Sequence, residues 1–465
     1  MKKAVVSADF SHCLKQMIKP LHGVNNSPLS LYQPPLGFKE AGIPFCRLHD
    51  TAGAYGGTHY VDIPNVFPDF EADPKKPESY DFAFTDAYLK QICAAGTQIF
   101  YRLGVTIENN YRIRGYHNHP PKDFRKWAEI CAGIVRHYNH GWANGFKLGI
   151  QYWEIWNEPE NPPMWDGTRE QFFELYRFAS IRLKHEFPKI KVGGYASCGF
   201  YAINREDCKT REFHRSFLSW FEDFLKFTTA KKTACPLDFF SWHLYTGDPA
   251  EIVLHAEYVD RKLKEYGLNK VENIFDEWNY ISEKPGRLFF EMRDHEGASF
   301  VASAFCRMQD SPIDKALYYD AYPQRAYCGL YHFPGPRTTE TYSVFFMWNI
   351  LYRLKKQCQA ASGDPAVQVC AASDGKDCAL LITNFSPKGR LADLNLSGVP
   401  LKKFRAEIID SRRNRKALVP EKAMTLPPYS TVLLTTTLPE EKTVRKAEVK
   451  NHAGLDDTTS QKKKK

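Results

Sequence analysis

Short apolar segments alternate with longer amphipathic segments along most of the chain. The apolar segments, rich in β-branched and aromatic residues, have the length and composition of buried strands. Segments with helical spacing lie between most of them, for example 86–95, 124–138, 169–187, 253–266 and 297–309. The predicted strands are residues 21–25, 44–49, 98–103, 150–157, 191–196, 238–245, 273–278 and 315–321. Eight strands alternating with helices predict an α/β fold, a (β/α)8 TIM barrel over residues 21–335.

An open, doubly wound sheet would show the same alternation of strands and helices. That fold usually carries a glycine-rich phosphate-binding turn after its first strand. No such turn follows residues 21–25. The barrel is therefore favoured, and the long segments after its second and third strands, 50–81 and 104–121, are expected to form the wall of a pocket.

The pattern changes after residue 335. Short runs at 367–371, 378–384, 391–396, 404–410 and 431–437 are separated by turn residues and predict a β-sandwich over residues 336–440. Residues 1–20 read as an N-terminal strand that joins this sandwich. Residues 441–465 are polar, end in four lysines and predict a disordered basic tail.

Composition narrows the class of protein. Of the 465 residues 43% are hydrophobic and 14% aromatic, which is typical of an ordered globular protein with room for two domains. The formal net charge is +9, and residues 441–465 contribute +4 of it, so the remaining excess does not indicate nucleic-acid binding. No apolar run is long enough for a membrane span.

The cysteines and the N-terminus bear on location. The twelve cysteines are scattered without a CxxC pair, which is typical of reduced thiols that pack as small apolar side chains. Residues 1–6, MKKAVV, lack the apolar run of a signal peptide. The resulting expectation is a cytoplasmic protein without cofactor.

Two glutamates stand at the ends of predicted strands. Glu158 precedes Pro159, and a proline cannot donate to a sheet, so the strand ends there. Glu277 closes another strand. A single glutamate at such a place is usually solvated or half of an ion pair, but both of these have tryptophan and asparagine beside them. A pair of carboxylates suits glycosidic bond cleavage, with one acid and one nucleophile or base.

Further polar residues end neighbouring strands. Alternation puts His243 and Tyr245 on one side of their strand, where they could orient a carboxylate or contact sugar hydroxyls; a polar cap on the strand is an equally good interpretation. Arg47 could keep a nucleophilic carboxylate ionised, and His49 could contact substrate. Asp320 ends the eighth strand and is expected to bind substrate as well.

The interior of the fifth strand carries one more acid. Alternation gives Glu154, Trp156 and Glu158 one direction, with Glu154 deeper in the barrel. A buried charge needs a partner, so Glu154 is expected to pair with Arg47 or Arg102. Metal binding is not indicated, because His117-x-His119 lacks further ligands at useful spacing.

The motif WEIWNEP at residues 153–159 resembles the acid/base signature of glycoside hydrolase family 39, within clan A of the barrel glycosidases. The resemblance extends to Arg47-Leu48-His49 and covers nearly the whole chain. It implies a retaining exo-glycosidase, with β-xylosidase the best-known activity and α-L-iduronidase another. By motif match Glu158 is the acid/base and Glu277 the nucleophile, Asn157 binds the 2-hydroxyl, and His243 and Tyr245 surround the reacting sugar.

These roles make demands on charge. Glu158 has to start protonated, which predicts a raised pKa, and Glu277 has to be ionised, with Arg47 and Tyr245 keeping it so. The partner is then an oligosaccharide or glycoside, with no nucleic acid, membrane or metal, and the chain could form a homo-oligomer.

Two positions depart from the xylosidases of the family. Trp278-Asn279 stands where they have Phe-Asn, and residues 318–320, YYD, lack their tryptophan. Both positions touch the subsite that selects the sugar, so β-galactoside, β-glucoside, α-L-arabinoside and uronide remain alternatives to β-xyloside. A non-catalytic carbohydrate-binding barrel is the alternative of another class.

The tail gives a first prediction. Deleting residues 441–465 is expected to leave the melting temperature and turnover rate nearly unchanged, because the segment has no apolar periodicity with which to pack. Calorimetry and a rate assay on the shortened chain measure both quantities. A clear drop in either would mean that the tail docks on the body.

Overall fold

The computed structural model describes residues 1–49, 51, 60–106, 118–162, 164–335 and 337–437. The predicted tail and His117 lie outside the described residues. Of the two segments expected to form the pocket wall, residues 50, 52–59 and 107–117 also lie outside them.

Eight parallel strands close into a barrel in the order of the sequence, which confirms the predicted TIM barrel. Their side chains are buried on both faces, so the strands read as continuous apolar runs in the sequence. One end of the interior is filled by Phe45, Phe100, Tyr152, Phe239, Ile274 and Leu317. The barrel strands are β2 Gly23–Asn25, β3 Phe45–Leu48, β4 Gln98–Leu103, β5 Tyr152–Ile155, β6 Lys191–Ser197, β7 Phe239–Thr246, β8 Glu272–Tyr280 and β9 Lys315–Tyr318.

Helices surround the barrel and begin at polar caps. Asp123, Thr168, Asp248 and Asp294 each accept backbone N–H groups at the start of a long helix, which satisfies donors that the helix leaves unpaired. The helices are α1 Phe38–Ala41, α2 Ile63–Val66, α3 Ala83–Ala94, α4 Phe124–His140, α5 Arg169–Glu186, α6 Glu206–Lys209, α7 Glu212–Thr229, α8 Pro249–Glu265, α9 His295–Gln309 and α10 Glu340–Leu354.

The accessory β domain is one curled sheet of nine strands. Strands from its two ends contribute to one apolar core, with Leu394 and Leu426 from one end and Ile408 from the other. The sheet order is β15-β14-β17-β12-β11-β10-β1-β13-β16. The strands are β1 Lys2–Met17, β10 Lys356–Ser362, β11 Val367–Ser373, β12 Cys378–Asn384, β13 Arg390–Ser397, β14 Arg405–Asp410, β15 Arg413–Leu418, β16 Ala423–Leu426 and β17 Ser430–Thr435.

The N-terminal strand ties the beginning of the chain to this sheet. β1 pairs antiparallel with β10 and parallel with β13. The opposite face of the sheet packs on the barrel: Leu381 and Leu433 belong to the same apolar cluster as Phe300 and Phe305 of α9. No helix in the described part of the chain is long and apolar enough to cross a membrane.

His22 provides a test of the packing at the start of the barrel. The ring is fully buried, bonds the Gly42 carbonyl oxygen at 3.1 Å and lies edge-on against Tyr352 of α10. Burial lowers the pKa of His22 from 6.5 to about 3, so the ring is neutral in the folded chain.

Because the folded pKa is the lower one, the unfolded chain binds this proton first as the pH falls through 6.5. His22 should therefore reduce the free energy of unfolding by about 1.4 kcal/mol per pH unit between about 6 and 4. Denaturant titrations at several pH values should give a smaller slope for His22→Gln. An unchanged slope would show that the ring titrates normally.

Candidate active site

The fifth barrel strand ends in an unusual backbone. β5 stops at Ile155, and both Trp156 (φ 73°) and Glu158 (φ 46°) have left-handed conformations. Such conformations are uncommon for non-glycine residues and cost of order 1–3 kcal/mol each. Neighbouring strands hold them: the Trp156 N–H donates to the Leu103 carbonyl at 2.7 Å, and the Glu158 N–H to that of Ala196 at 3.0 Å.

This backbone corrects the expected alternation along the strand. Glu154 points into the barrel, but Trp156 packs against Trp127 of α4 and against Trp165. Its indole N–H donates to the Met164 carbonyl at 2.9 Å. The strand has already ended at Trp156, so a side-chain period of two no longer applies.

Glu158 lies at the open end of the barrel with part of its carboxylate exposed. Its Oε1 is 2.7 Å from Nδ1 of His243, on β7, and its Oε2 accepts from the Asn161 amide at 3.1 Å. The predicted His243 thus contacts Glu158 directly.

Glu277 reaches the same space from β8 because that strand contains a bulge. Trp242 of β7 pairs with Phe275 of β8, but the next residue of β7, His243, pairs with Glu277. Asp276 is therefore an extra residue in β8 without a partner in this register. Tyr245 donates its hydroxyl to Oε1 of Glu277 at 2.7 Å, and Arg47 Nη1 lies 3.1 Å from Oε2. The two groups expected to hold Glu277 both contact it.

Arg47, fully buried, connects four strands beneath the two glutamates. Its Nε donates to Glu154 Oε2 at 2.7 Å, its Nη1 to Asn25 at 2.9 Å and its Nη2 to Asn157 at 2.6 Å. Of the two arginines considered for Glu154, Arg47 is thus the partner.

The other arginine has a different acid. Arg102 Nη2 contacts Asp62 at 2.6 Å, also without exposure to solvent. Each buried guanidinium therefore has carboxylate partners of its own.

The two glutamates face each other across a short gap. One ligand atom from each of Glu158, His243 and Glu277 lies within 4.8 Å of the others. A cation could fit such a trio, but Arg47 places a positive charge 3.1 Å from Glu277, and the His243 nitrogen nearest Glu158 already bonds it. These contacts favour proton transfer among the three groups over the binding of a cation.

Titration of the trio is linked. Burial disfavours a charge on Glu158, but the hydrogen bond and charge of His243 outweigh it and lower the pKa of Glu158. Burial also disfavours the imidazolium, yet Glu277 and Asp276 raise the pKa of His243 well above its usual range. Burial raises the pKa of Glu277, and the negative charge of Glu158 raises it further. The positive charges of His243 and Arg47 lower this pKa but do not outweigh the increase.

Burial raises the pKa of Glu277 even though Arg47 and Tyr245 contact it as expected. The direction expected for the pKa of Glu158 is wrong for the free protein. The reason is His243: its imidazolium holds the proton and leaves Glu158 as the anion. The sequence predicted that His243 lies at this end of the barrel. It did not predict the 2.7 Å contact between His243 and Glu158 that decides where the proton lies.

The remaining predicted residues line the same end of the barrel. Asn157 is buried beside Arg47, and the backbone N–H of His49 donates to Asn26 Oδ1 at 3.2 Å. Asp320, buried after β9, accepts from Gln324 at 3.1 Å, and burial raises its pKa well above the usual range.

An aromatic wall of four residues stands beside Glu277, and of these the sequence assigned a role to Tyr245 alone. We use the term for Tyr245, Phe289, Tyr319 and Tyr327. The ring of Tyr327 lies at the centre, with centroid distances of 5.4 Å to Tyr245, 4.7 Å to Phe289 and 5.5 Å to Tyr319. Tyr327 itself has φ 57°, and its carbonyl accepts from Asn279. Phe289 and Tyr327 lie in irregular segments, where periodicity gives no signal; the aromatic richness of 318–331 was the available hint.

Arg47 yields a test of this site that depends on stability alone. Arg47→Lys keeps the charge but loses the planar fork that reaches Glu154, Asn157 and Glu277 together. We expect a loss of about 3 kcal/mol in the free energy of unfolding, because buried carboxylates lose their partner. Urea denaturation measures it.

Arg215→Lys is the matched control, since Arg215 pairs with Glu212 on the surface of α7, where such a change costs well under about 1 kcal/mol. Equal losses in the two variants would contradict a central role for Arg47.

Known proteins match parts of this sequence. A β-xylosidase of Geobacillus stearothermophilus is 23% identical over 232 residues, 47% of this chain and 40% of that protein. A β-xylosidase of Caldicellulosiruptor saccharolyticus is 29% identical over 132 residues, 28% of this chain and 23% of that protein. The matches thus span less than half the length of both relatives.

The fold has solved counterparts. The crystal structure of a glucosidase from Croceicoccus marinus aligns over 94% of this chain and 100% of that one, with a TM-score of 0.75 and 20% identity. The profile of glycosyl hydrolases family 39 matches residues 58–293, just over half of the chain. The chain therefore belongs to glycosyl hydrolases family 39.

Proposed function

We propose that this protein is a retaining exo-glycosidase that removes terminal sugars from an oligosaccharide or glycoside by double displacement. The observation that carries the proposal is the approach of Glu158, just after β5, and Glu277, on β8, whose carboxylates have oxygen atoms within 4.8 Å of each other. Retaining enzymes hold their two carboxyl groups about 5–5.5 Å apart, whereas inverting enzymes leave room for a water molecule between acid and base.

In the first step Glu277 attacks the anomeric carbon while Glu158 gives a proton to the leaving oxygen. In the free protein the pKa of Glu158 is lowered and that of Glu277 is raised, so this division of roles requires a proton to reach Glu158 when substrate binds. Glu158 in its charged form raises the pKa of Glu277, so a proton on Glu158 removes that repulsion and lets Glu277 ionise. The His243 imidazolium, 2.7 Å from Glu158, is the source of this proton when substrate displaces water from the site.

In the second step water hydrolyses the glycosyl–Glu277 ester. Glu158, now ionised, takes a proton from the attacking water and passes it back to His243, which restores the starting imidazolium and carboxylate. Arg47 and Tyr245 contact different oxygens of Glu277. They thereby hold this carboxylate in place as the nucleophile of the first step and as the leaving group of the second.

The sugar subsite is the space beside the aromatic wall. Aromatic rings pack on the apolar faces of sugars, and the buried polar residues Asn157 and His49 at the same end of the barrel would bind hydroxyls. We propose a β-xylosidase-like activity, because two relatives of this family are named β-xylosidases. The other sugars named above remain to be distinguished by experiment.

The proposal predicts hydrolysis of at least one aryl glycoside in a panel of xyloside, galactoside, glucoside, arabinoside and uronide. Proton NMR of the first-formed sugar should show the anomer of the substrate. Activity should persist in EDTA, because the reaction needs no metal. An inverted anomer would overturn the double displacement, and inactivity on every glycoside would favour a carbohydrate-binding barrel.

Separate substitutions should separate the roles of the two glutamates. Glu158→Ala should reduce kcat/KM on glycosides with poor leaving groups by roughly 10²–10⁴-fold, the usual size of general acid catalysis, and spare dinitrophenyl glycosides in the first step. Azide should restore turnover and give a glycosyl azide of retained configuration.

Glu277→Ala should lose activity on both kinds of substrate, because it lacks the nucleophile. Any azide product from this variant should have inverted configuration. Retained azide from Glu277→Ala would exchange the two assignments.

A further inference from the structure

We propose that Glu154 and Asp276 share one proton beneath the nucleophile and that this pair positions Arg47 against Glu277. The consequence for turnover rests on the proposed function; the shared proton itself does not.

The geometry of Arg47 points to the pair. Its Nε carries one hydrogen, yet Glu154 Oε2 lies 2.7 Å and Asp276 Oδ2 lies 3.0 Å from that nitrogen. Both carboxyl groups are completely buried. Two carboxylates crowded on one N–H group without water would repel each other strongly, and a proton between them turns the repulsion into a hydrogen bond.

The hydrogen-bond inventory of the pair leaves a place for that proton. Glu154 Oε1 accepts from Ser241 at 2.7 Å and Oε2 from Arg47, so Glu154 has a donor on each oxygen. Neither oxygen of Asp276 has a hydrogen-bond partner when both carboxyls are treated as acceptors. A protonated Glu154 supplies the missing donor to Asp276.

Charge balance in the cluster leads to the same result. Among the residues that the structure describes, two cations, Arg47 and His243, lie within contact range of four carboxyl groups, those of Glu154, Glu158, Asp276 and Glu277. Ser241 donates a neutral hydrogen bond to the Glu154 carboxyl, whereas Asn25 donates to the backbone carbonyl of Asp276 and not to its carboxyl group. One shared proton brings the Glu154–Asp276 pair to a single negative charge, which Arg47 can match while it also reaches Glu277.

The titration of the two groups is consistent with this division. Burial and the charge of the nearby Asp276 outweigh the attraction of Arg47 and raise the pKa of Glu154 to about 8. Burial also opposes a charge on Asp276, but Arg47 and His243 outweigh it and lower the pKa of that carboxyl. The proton therefore resides mainly on Glu154 at neutral pH.

The pair explains why an aspartate stands next to the nucleophile. The bulge in β8 turns Asp276 and Glu277 toward the same guanidinium. Because the Glu154–Asp276 pair carries a single negative charge, the positive charge of Arg47 is divided between this pair and Glu277. If the pair lost its charge, Arg47 would act on Glu277 alone and make it a weaker base and a poorer nucleophile.

Infrared spectroscopy of the protein without substrate tests the shared proton. The wild type at pH 7 should show the carbonyl stretch of a protonated carboxyl that is absent from Glu154→Gln, where an amide replaces the acid. The same band should vanish in Asp276→Asn, because Glu154 without its charged neighbour ionises. Retention of the band in Asp276→Asn would show that burial alone protonates Glu154 and would overturn the sharing.

Asp364→Asn is the matched control. Asp364 is a buried aspartate 2.9 Å from Arg390 in the accessory sheet, so the same substitution there should leave the band in place. Should Glu154→Gln fail to fold, titration of the wild type decides: a glutamate labelled with carbon-13 should lose its proton near pH 8, and at lower pH in Asp276→Asn. Absence of any such glutamate would overturn the proposal.

The positioning role has a separate readout. In the double variant Glu154→Gln, Asp276→Asn the pair is neutral, so the acidic limb of the kcat/KM profile should move to lower pH by about 1 unit and kcat should fall. An unmoved acidic limb in an active double variant would overturn the positioning role. If the wild type cleaves no glycoside, the proposed function fails, while the infrared result still decides the shared proton.

Discussion

A single buried guanidinium determines how this end of the barrel is built. Arg47 cannot lose its proton and is fully buried, so the fold must surround it with acceptors. The partners come from four other sites in the chain, on β2, β5, its extension and β8. Each contact limits the position of one strand end, and the limits together bring the carboxylates of β5 and β8 to one place.

The backbone at those strand ends is irregular in ways that serve the same purpose. A bulge in β8 brings two successive acids to Arg47, and left-handed residues after β5 turn Glu158 toward His243. A regular strand would send neighbouring side chains to opposite faces. The cost of these conformations is offset by the closed barrel, whose strands β4 and β6 bind the N–H groups of Trp156 and Glu158.

The sequence was sufficient for features that follow from periodicity and strand ends. The barrel, the accessory β domain and the meeting of Glu158, Glu277, Arg47 and Tyr245 all depend on which residues terminate apolar runs. Asp276 was missed because alternation turns it away from the interior, and only a bulge reverses that. Tyr327 was missed because its place depends on an irregular segment that Asn279 fixes. The direction of the pKa of Glu158 depends on one contact with His243, which no spacing rule supplies.

The central claim is that Glu277 forms the covalent bond to the sugar while Glu158 exchanges protons. Incubation with an activated 2-fluoro-glycoside, of a sugar that the enzyme cleaves, should trap the glycosyl–enzyme ester. Peptide mass spectrometry should then find one label, on the peptide that contains Glu277, at a rate matching the loss of activity. A label on Glu158 would exchange the two roles, and a label on neither glutamate would contradict the double displacement.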